Sequence, residues 1–214
     1  MPALTDTATE RSLGSVSTSR VEAFSDGVFA IATTLLILGI TIPKVGETGD
    51  LFSALFALWP SYVSYLVSFL TIGVMWLNHH FLVGMFARVD RTLLMLNLCL
   101  LAVIAFVPFP TGVLAEYMVA GTPQQLFVAA ALYGSTMLLV TSIFVLLWLH
   151  VRRATVVLKN AALSRPIATR AVVFAGFSTV AYLIAIGIGA FAPAVSLILF
   201  AAVAVLFAFG RLTR

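Results

Sequence analysis

The sequence predicts an all-α integral membrane protein with six transmembrane helices per subunit and both termini cytoplasmic, on three observations. Hydrophobic residues make up 62% of the chain and charged residues only 9%, against about 25% charged in soluble domains, so no water-facing surface can be assembled around a core. The apolar residues fall into six long runs divided by short polar or Pro- and Gly-containing connections. At about 1.5 Å per helical residue, runs of this length suit a hydrocarbon layer of about 30 Å. The cations are also lopsided. With six spans, Arg11, Arg20, Arg88, Arg91, Arg152, Arg153, Lys159, Arg165, Arg170, Arg211 and Arg214 share one side and Lys44 alone of the 12 lies opposite, which assigns the basic side, with both termini, to the cytoplasm.

Residues 1–19 are rich in Ser and Thr, carry Asp6, Glu10 and Arg11, and show no apolar period, so they read as a mobile cytoplasmic N-terminal tail. Residues 20–214 form a single six-helix transmembrane domain. A cleaved signal peptide is not expected, because the first apolar run starts late and is too long for an h-region.

The first span, residues 20–43, has Asp26 as its only ionisable side chain from Ala23 to Ile42. At about 100° per residue Ile31, Thr34, Leu35, Leu38 and Ile42 share a face, with Ser25 and Asp26 pointing away from it. A central Asp facing lipid costs about 2.5–3.5 kcal/mol, so this flank should meet other helices or sit at an interface. After the polar connection at residues 44–50, a second span covers 51–77, with Pro60 near its start and Ser61, Ser64, Ser68 and Thr71 forming a small-residue packing row. Trp76, Asn78, His79 and His80 close it at a membrane boundary. The third span, 92–107, holds Asn97 and is expected to stop at the prolines of residues 108–111. The fourth covers 126–149 and leads into the most basic connection. The fifth covers 171–191, and Pro193 separates it from a sixth that ends near Gly210.

Several function classes are excluded or disfavoured. Basic residues sit in short connections rather than along one face, so nucleic acid is not a partner. Cys99 is the only cysteine, which rules out an intrachain disulfide and a thiolate metal cluster. His79 and His80 with Asp26 and Asp90 are imaginable zinc ligands, but adjacent helical residues point about 100° apart and do not make one site. No His-Glu-x-x-His, Gly-x-Ser-x-Gly or phosphate-loop motif is present, so the chain is not read as an enzyme and no cofactor is implied. The Thr-Val-Gly-Tyr-Gly filter of ordinary potassium channels is also missing.

Arg20, Phe24, Ser25 and Asp26, followed by Gly-Val-Phe-Ala-Ile and Thr-Leu-Leu, resemble the signature of the transmembrane protein 175 family of potassium channels, which includes the lysosomal potassium channel. The resemblance implies a potassium-selective cation channel of the bacterial type. Such members have one six-helix unit per subunit and assemble as a homotetramer in the cell membrane, with the first helices lining the pore. It further implies that Ile31 matches the narrowest apolar ring, that Leu35 and Leu38 extend the constriction, and that Thr34 matches a threonine implicated in preference for the permeant potassium ion. Phe24, Ser25 and Asp26, with Arg20, would lock the first helix against Trp76, Asn78, His79 and His80 of the second and Asn97 of the third. Residues 108–111 also look familial.

On general grounds, an apolar stripe is more often core than pore, and the Thr34 hydroxyl can bond back to its own helix. A proton-coupled transporter of cations or small solutes is the main alternative, because Asp26 could relay protons. Against it, the halves show no evident repeat and no pair of broken helices marks a midplane site. A non-conducting membrane scaffold is a third reading. For a channel, Glu47 and Asp50 on the less basic side are the candidates to concentrate monovalent cations at a mouth.

Overall fold

The computed structural model describes residues 17–46, 49–153 and 158–209, and its regular structure is helical apart from one isolated bridge. The predicted tail lies almost wholly outside the described residues, as do Glu47, Arg211 and Arg214.

Helix α1, Thr18–Leu35, passes into a 3₁₀ turn, Leu36–Gly39, and the chain is extended from Ile40. The helix therefore stops before the expected Pro43. Thr33 and Thr34 turn their hydroxyls back on the carbonyls of Phe29, Ala30 and Ile31, which competes with the backbone ladder. Pro43 then disfavours helix at Ile42.

The expected second span is two helices, α2 (Leu51–Ala57) and α3 (Trp59–Val83). Pro60 causes the break: without an N–H it cannot bond the carbonyl of Phe56, and its ring crowds that group, yet it fits the first turn of α3. Asp50 caps α2 through the amides of Phe52 and Ser53. Helix α3 runs past His79 and His80 rather than ending at them.

Helix α4, Arg91–Phe106, is capped by Asp90, which accepts from the Leu93 amide at 2.7 Å. The prolines at 108 and 110 do not end the helical path as expected. A new helix, α5 (Pro108–Ala120), begins on them, because missing donors are harmless at N1 and N3. Helix α6, Pro123–Arg153, opens on a reciprocal cap in which the Gln125 side chain accepts from the Thr122 amide and Thr122 Oγ1 from the Gln125 amide. It ends on His150, Arg152 and Arg153, cations suited to a helix C-terminus.

Helix α7, Ala161–Gly189, starts ten residues before the expected 171, with the Asn160 side chain as cap and Pro166 tolerated near its start. Arg165 and Arg170 are thus helical rather than in a connection. Helix α8, Pro193–Phe209, comes last.

Among the described residues, five stretches are long and apolar enough to cross a bilayer: Thr18–Gly39, Trp59–Val83, Arg91–Met118, Pro123–Arg153 and Ala161–Gly189. The all-helical chain is a multi-pass membrane protein. Helix α8 has 17 residues, which leaves it just short.

Helix α6 is the hub, packing on α4, α5, α7 and α8, while α1 packs on α3 and α4. Ile72, Leu82, Leu100, Ile104, Met137, Phe144 and Trp148 form the shared core. At one end, Phe86 pairs with Leu158 in the isolated bridge, the Lys159 amide donates to the Met85 carbonyl, and His150 donates to Asp90 at 2.8 Å. These contacts tie the segment after α3 to the end of α6. The lateral faces carry exposed Leu66, Leu70, Leu139, Val173, Phe177 and Leu183, the apolar exterior expected of helices in lipid.

Candidate functional site: a two-faced first helix

Helix α1 is apolar on two faces, and only one is packed. Val21, Ser25, Phe29, Ala32 and Leu36 are buried against the rest of the subunit. Ile31 is 60% exposed and Leu38 73% exposed. Phe24, Thr34 and Leu35 are exposed on the same side. The Thr34 hydroxyl donates to the Ile31 carbonyl at 2.9 Å. That bond does not silence the oxygen: it engages the proton and leaves the remaining lone pairs able to accept.

The packed face is fixed by a hydrogen-bond chain whose direction is determined by its end. Ser25 Oγ donates to the Val21 carbonyl at 2.7 Å, and a carbonyl only accepts. Ser25 therefore accepts from Asn97 Nδ2 at 3.1 Å. The other amide atom of Asn97, Oδ1, accepts from His79 Nε2 at 2.6 Å. Three helices, α1, α4 and α3, are joined in that order by buried side chains, with the Phe29 ring resting on the His79 ring at 5.4 Å. Such fully directed networks favour one packing arrangement. His79 Nδ1 and Asn78 Oδ1 are buried without a hydrogen-bond partner.

A second, more exposed set of contacts joins α1 to α3. Trp76 Nε1 donates to Asp26 Oδ1 at 2.7 Å, and His80 Nδ1 lies 2.9 Å from Glu22 Oε1. The Trp76 and His80 rings are 5.8 Å apart. The structure thus brings Ser25, Asn97 and His79 together, and Asp26 with Trp76. His80 reaches α1 through Glu22 rather than through another lock residue, and the remaining three are not drawn in. Phe24 is 56% exposed on the Ile31 side, Arg20 has no side-chain partner among the described residues, and Asn78 donates to the Val74 carbonyl of its own helix.

The two histidines point to different partners, and among the described residues no three His, Cys, Asp or Glu side chains converge on a metal position. Asp90 serves as a helix cap and the partner of His150, whose ring stacks on Phe86 at 6.2 Å. Sequence reasoning missed Glu22, although it stands four residues before Asp26 on the same helix flank. Asp50 is held below the usual carboxylate range by the Ser53 hydroxyl and by the amides of Phe52 and Ser53.

Comparison with known proteins bears on this arrangement. Residues 20–108 match the family model described as endosomal/lysosomal potassium channel TMEM175. A potassium channel of Streptomyces collinus is 54% identical over 134 residues, 63% of this chain and 64% of that one. A potassium channel of Chamaesiphon minutus is 48% identical over 139 residues, 64% of this chain and 67% of that one. The alignment thus spans slightly under two thirds of the Streptomyces relative. The crystal structure of a lysosomal potassium-selective channel TMEM175 homologue from Chamaesiphon minutus superposes with a TM-score of 0.78 at 40% identity, covering 90% of this chain and 96% of that one.

Proposed function

Because the chain belongs to the TMEM175 family, we propose that it is a potassium-selective cation channel whose pore is lined by α1 from each of four copies. The observation that carries this reading is the two-faced α1. One face is held by the Ser25–Asn97–His79 chain, while Ile31, Thr34, Leu35 and Leu38 stand exposed on the other. A single helix encloses no water, so the exposed stripe becomes a conduit only when copies surround an axis.

In that assembly Ile31, Leu35 and Leu38 form stacked apolar rings, a neck that closes by dewetting, and Thr34 offers a ring of oxygen lone pairs that replaces part of an ion's hydration shell. With α8 as the sixth span, both termini lie on one side of the cell membrane, and the excess of Lys and Arg on that side assigns it to the cytoplasm. The lock residues hold α1 so that the rings keep their register.

The rival reading, a proton-coupled transporter, finds its proton path in the same polar residues. The His79–Asn97–Ser25 chain, however, ends on the Val21 carbonyl, which cannot release a proton onward. Flux of potassium against sodium into liposomes holding the purified protein, with and without a proton gradient, separates the two. Diffusive potassium flux without a gradient is expected, whereas obligatory exchange for protons would establish the carrier.

A further inference from the structure

We infer that the cavity between α3, α5, α6 and α8 takes the apolar end of a phospholipid acyl chain from the surrounding bilayer. The cavity holds about 230 Å³ and is open at one side. A cavity on the order of 150 Å³ lined by Leu, Ile and Phe stays dry and binds benzene, so this one has room for several methylene groups. Val63 and Ile198 stand exposed at its edge, Val67, Leu114 and Phe200 wall it, and Ser64, Ser68, Thr111 and Tyr133 are its polar lining residues.

Two of these hydroxyls are already engaged. Thr111 Oγ1 donates to the Val107 carbonyl at 2.9 Å, so the 2.9 Å contact between Ser68 and Thr111 uses the Ser68 proton. The Tyr133 hydroxyl faces Ser68 and Thr71. With the Ser68 and Thr111 protons already engaged and most of the lining apolar, a hydrocarbon chain suits the cavity better than a polar ligand and leaves these bonds intact.

The cavity also resists collapse. Phe200 is wedged between the rings of Tyr133 and Tyr182 at 6.1 Å and 5.8 Å. It lies over Gly134, where an added Cβ would come within 2.5 Å of the Phe200 ring. Its open side is continuous with the lateral surface of spanning helices, where hydrocarbon chains are the surrounding solvent. Helix α8, which forms one edge of the mouth, packs on α6, α7 and α3. Occupancy has a mechanical consequence. Thr111 adjoins Gly112, whose Cα lies close enough to Gly39 at the end of the α1 turn that a Cβ added at Gly39 would meet it at 3.7 Å, so a filled cavity braces the end of α1.

The test is photolabelling of the full chain in vesicles of phosphatidylcholine and phosphatidylglycerol that include phosphatidylcholine bearing a diazirine at the end of one acyl chain. Peptide mapping should find adducts on Leu114 and Met118 inside the cavity, as well as on exposed Leu183 of α7. In Ala201→Trp the Leu114 and Met118 adducts should be lost and the Leu183 adducts retained. Val63→Phe plugs the opening from the other edge and serves if Ala201→Trp does not assemble. Labelling of Leu183 without Leu114 or Met118 in the unmodified protein, as a mouth covered by a second copy would give, overturns the inference. So does undiminished cavity labelling in both plugged variants. Neither result depends on ion flux, so failure here is distinct from failure of the channel reading.

Discussion

His79, Asn97 and Ser25 are buried in a directed chain, so removing one member strands a neighbour at about 1–3 kcal/mol per group. His79→Ala is therefore expected to lower thermal stability and oligomer yield in detergent. Asp26→Ala, which frees only the more exposed Trp76 N–H, should do so less. Size exclusion with thermal melting checks the order, and two stable oligomers with altered selectivity alone would contradict it. Asn97 and His79 were legible as polar groups in apolar runs that need partners. Their pairing and direction were not, because both depend on how α3 and α4 cross. Asp50 gives a pH-dependent case. Its pKa is lowered by the Ser53 hydroxyl and the α2 amides, so its contribution is present above the unfolded value of about 3.9. It is lost as pH falls through the lower folded value. Protection of the Phe52 and Ser53 amides, taken relative to their intrinsic exchange rates, should fall only in acid, and Asp50→Asn, which can still cap, should remove most of this dependence.

Among elements, α1 and its neighbours show which sequence signals suffice. The apolar period of α1 identified its stripe, but period alone could not choose which apolar face was free. Leu36, off the stripe, is 3% exposed and belongs to the core. Leu36→Ala is therefore no neutral control, since it opens a cavity at about 2–5 kcal/mol. Exposed Leu183→Ala on α7 is the appropriate one. On the pore reading Ile31→Ala should raise basal cation flux and weaken discrimination, and Thr34→Ala should lower potassium preference without loss of assembly. Liposome flux assays check both, and a response to Leu183→Ala with none to Ile31→Ala would place the pore elsewhere. The helix breaks were harder to read than the spans. Pro60 splits one expected span, yet Pro108 and Pro110 begin a helix, because proline disrupts the helical turn on its N-terminal side and suits the one on its C-terminal side. Gly134 in α6 makes a close-packing prediction. Its missing Cβ admits Phe200 and Ile186, to which an added Cβ would come within 2.5 Å and 2.8 Å. Gly134→Ala should thus destabilise by about 1–3 kcal/mol through overpacking, seen as a lowered melting temperature, unless α8 shifts outward.

For the whole molecule, composition and charge placement were enough to read a multi-pass membrane protein, because the bilayer imposes span length and charge asymmetry on any chain that crosses it. Assembly leaves a fainter imprint, since an exposed Leu is equally at home in lipid or against a second copy. Cross-linking distinguishes them. If α1 from four copies surrounds an axis, identical residues on its exposed stripe approach one another, whereas identical residues on the outer edge of α7 stay a subunit width apart. Cys99 is the only cysteine and is exposed, so a Cys99→Ser background allows single thiols to be placed. Leu38→Cys on the stripe is expected to give covalent dimers, and higher species up to four copies, with a short bifunctional thiol reagent in native membranes. Leu183→Cys should remain monomeric on denaturing gels after the same treatment. Cross-linking at Leu183→Cys but not at Leu38→Cys, in protein that still runs as an oligomer before denaturation, would put α7 at the contact. The exposed face of α1 would then belong to lipid and the pore would have to be sought on another helix.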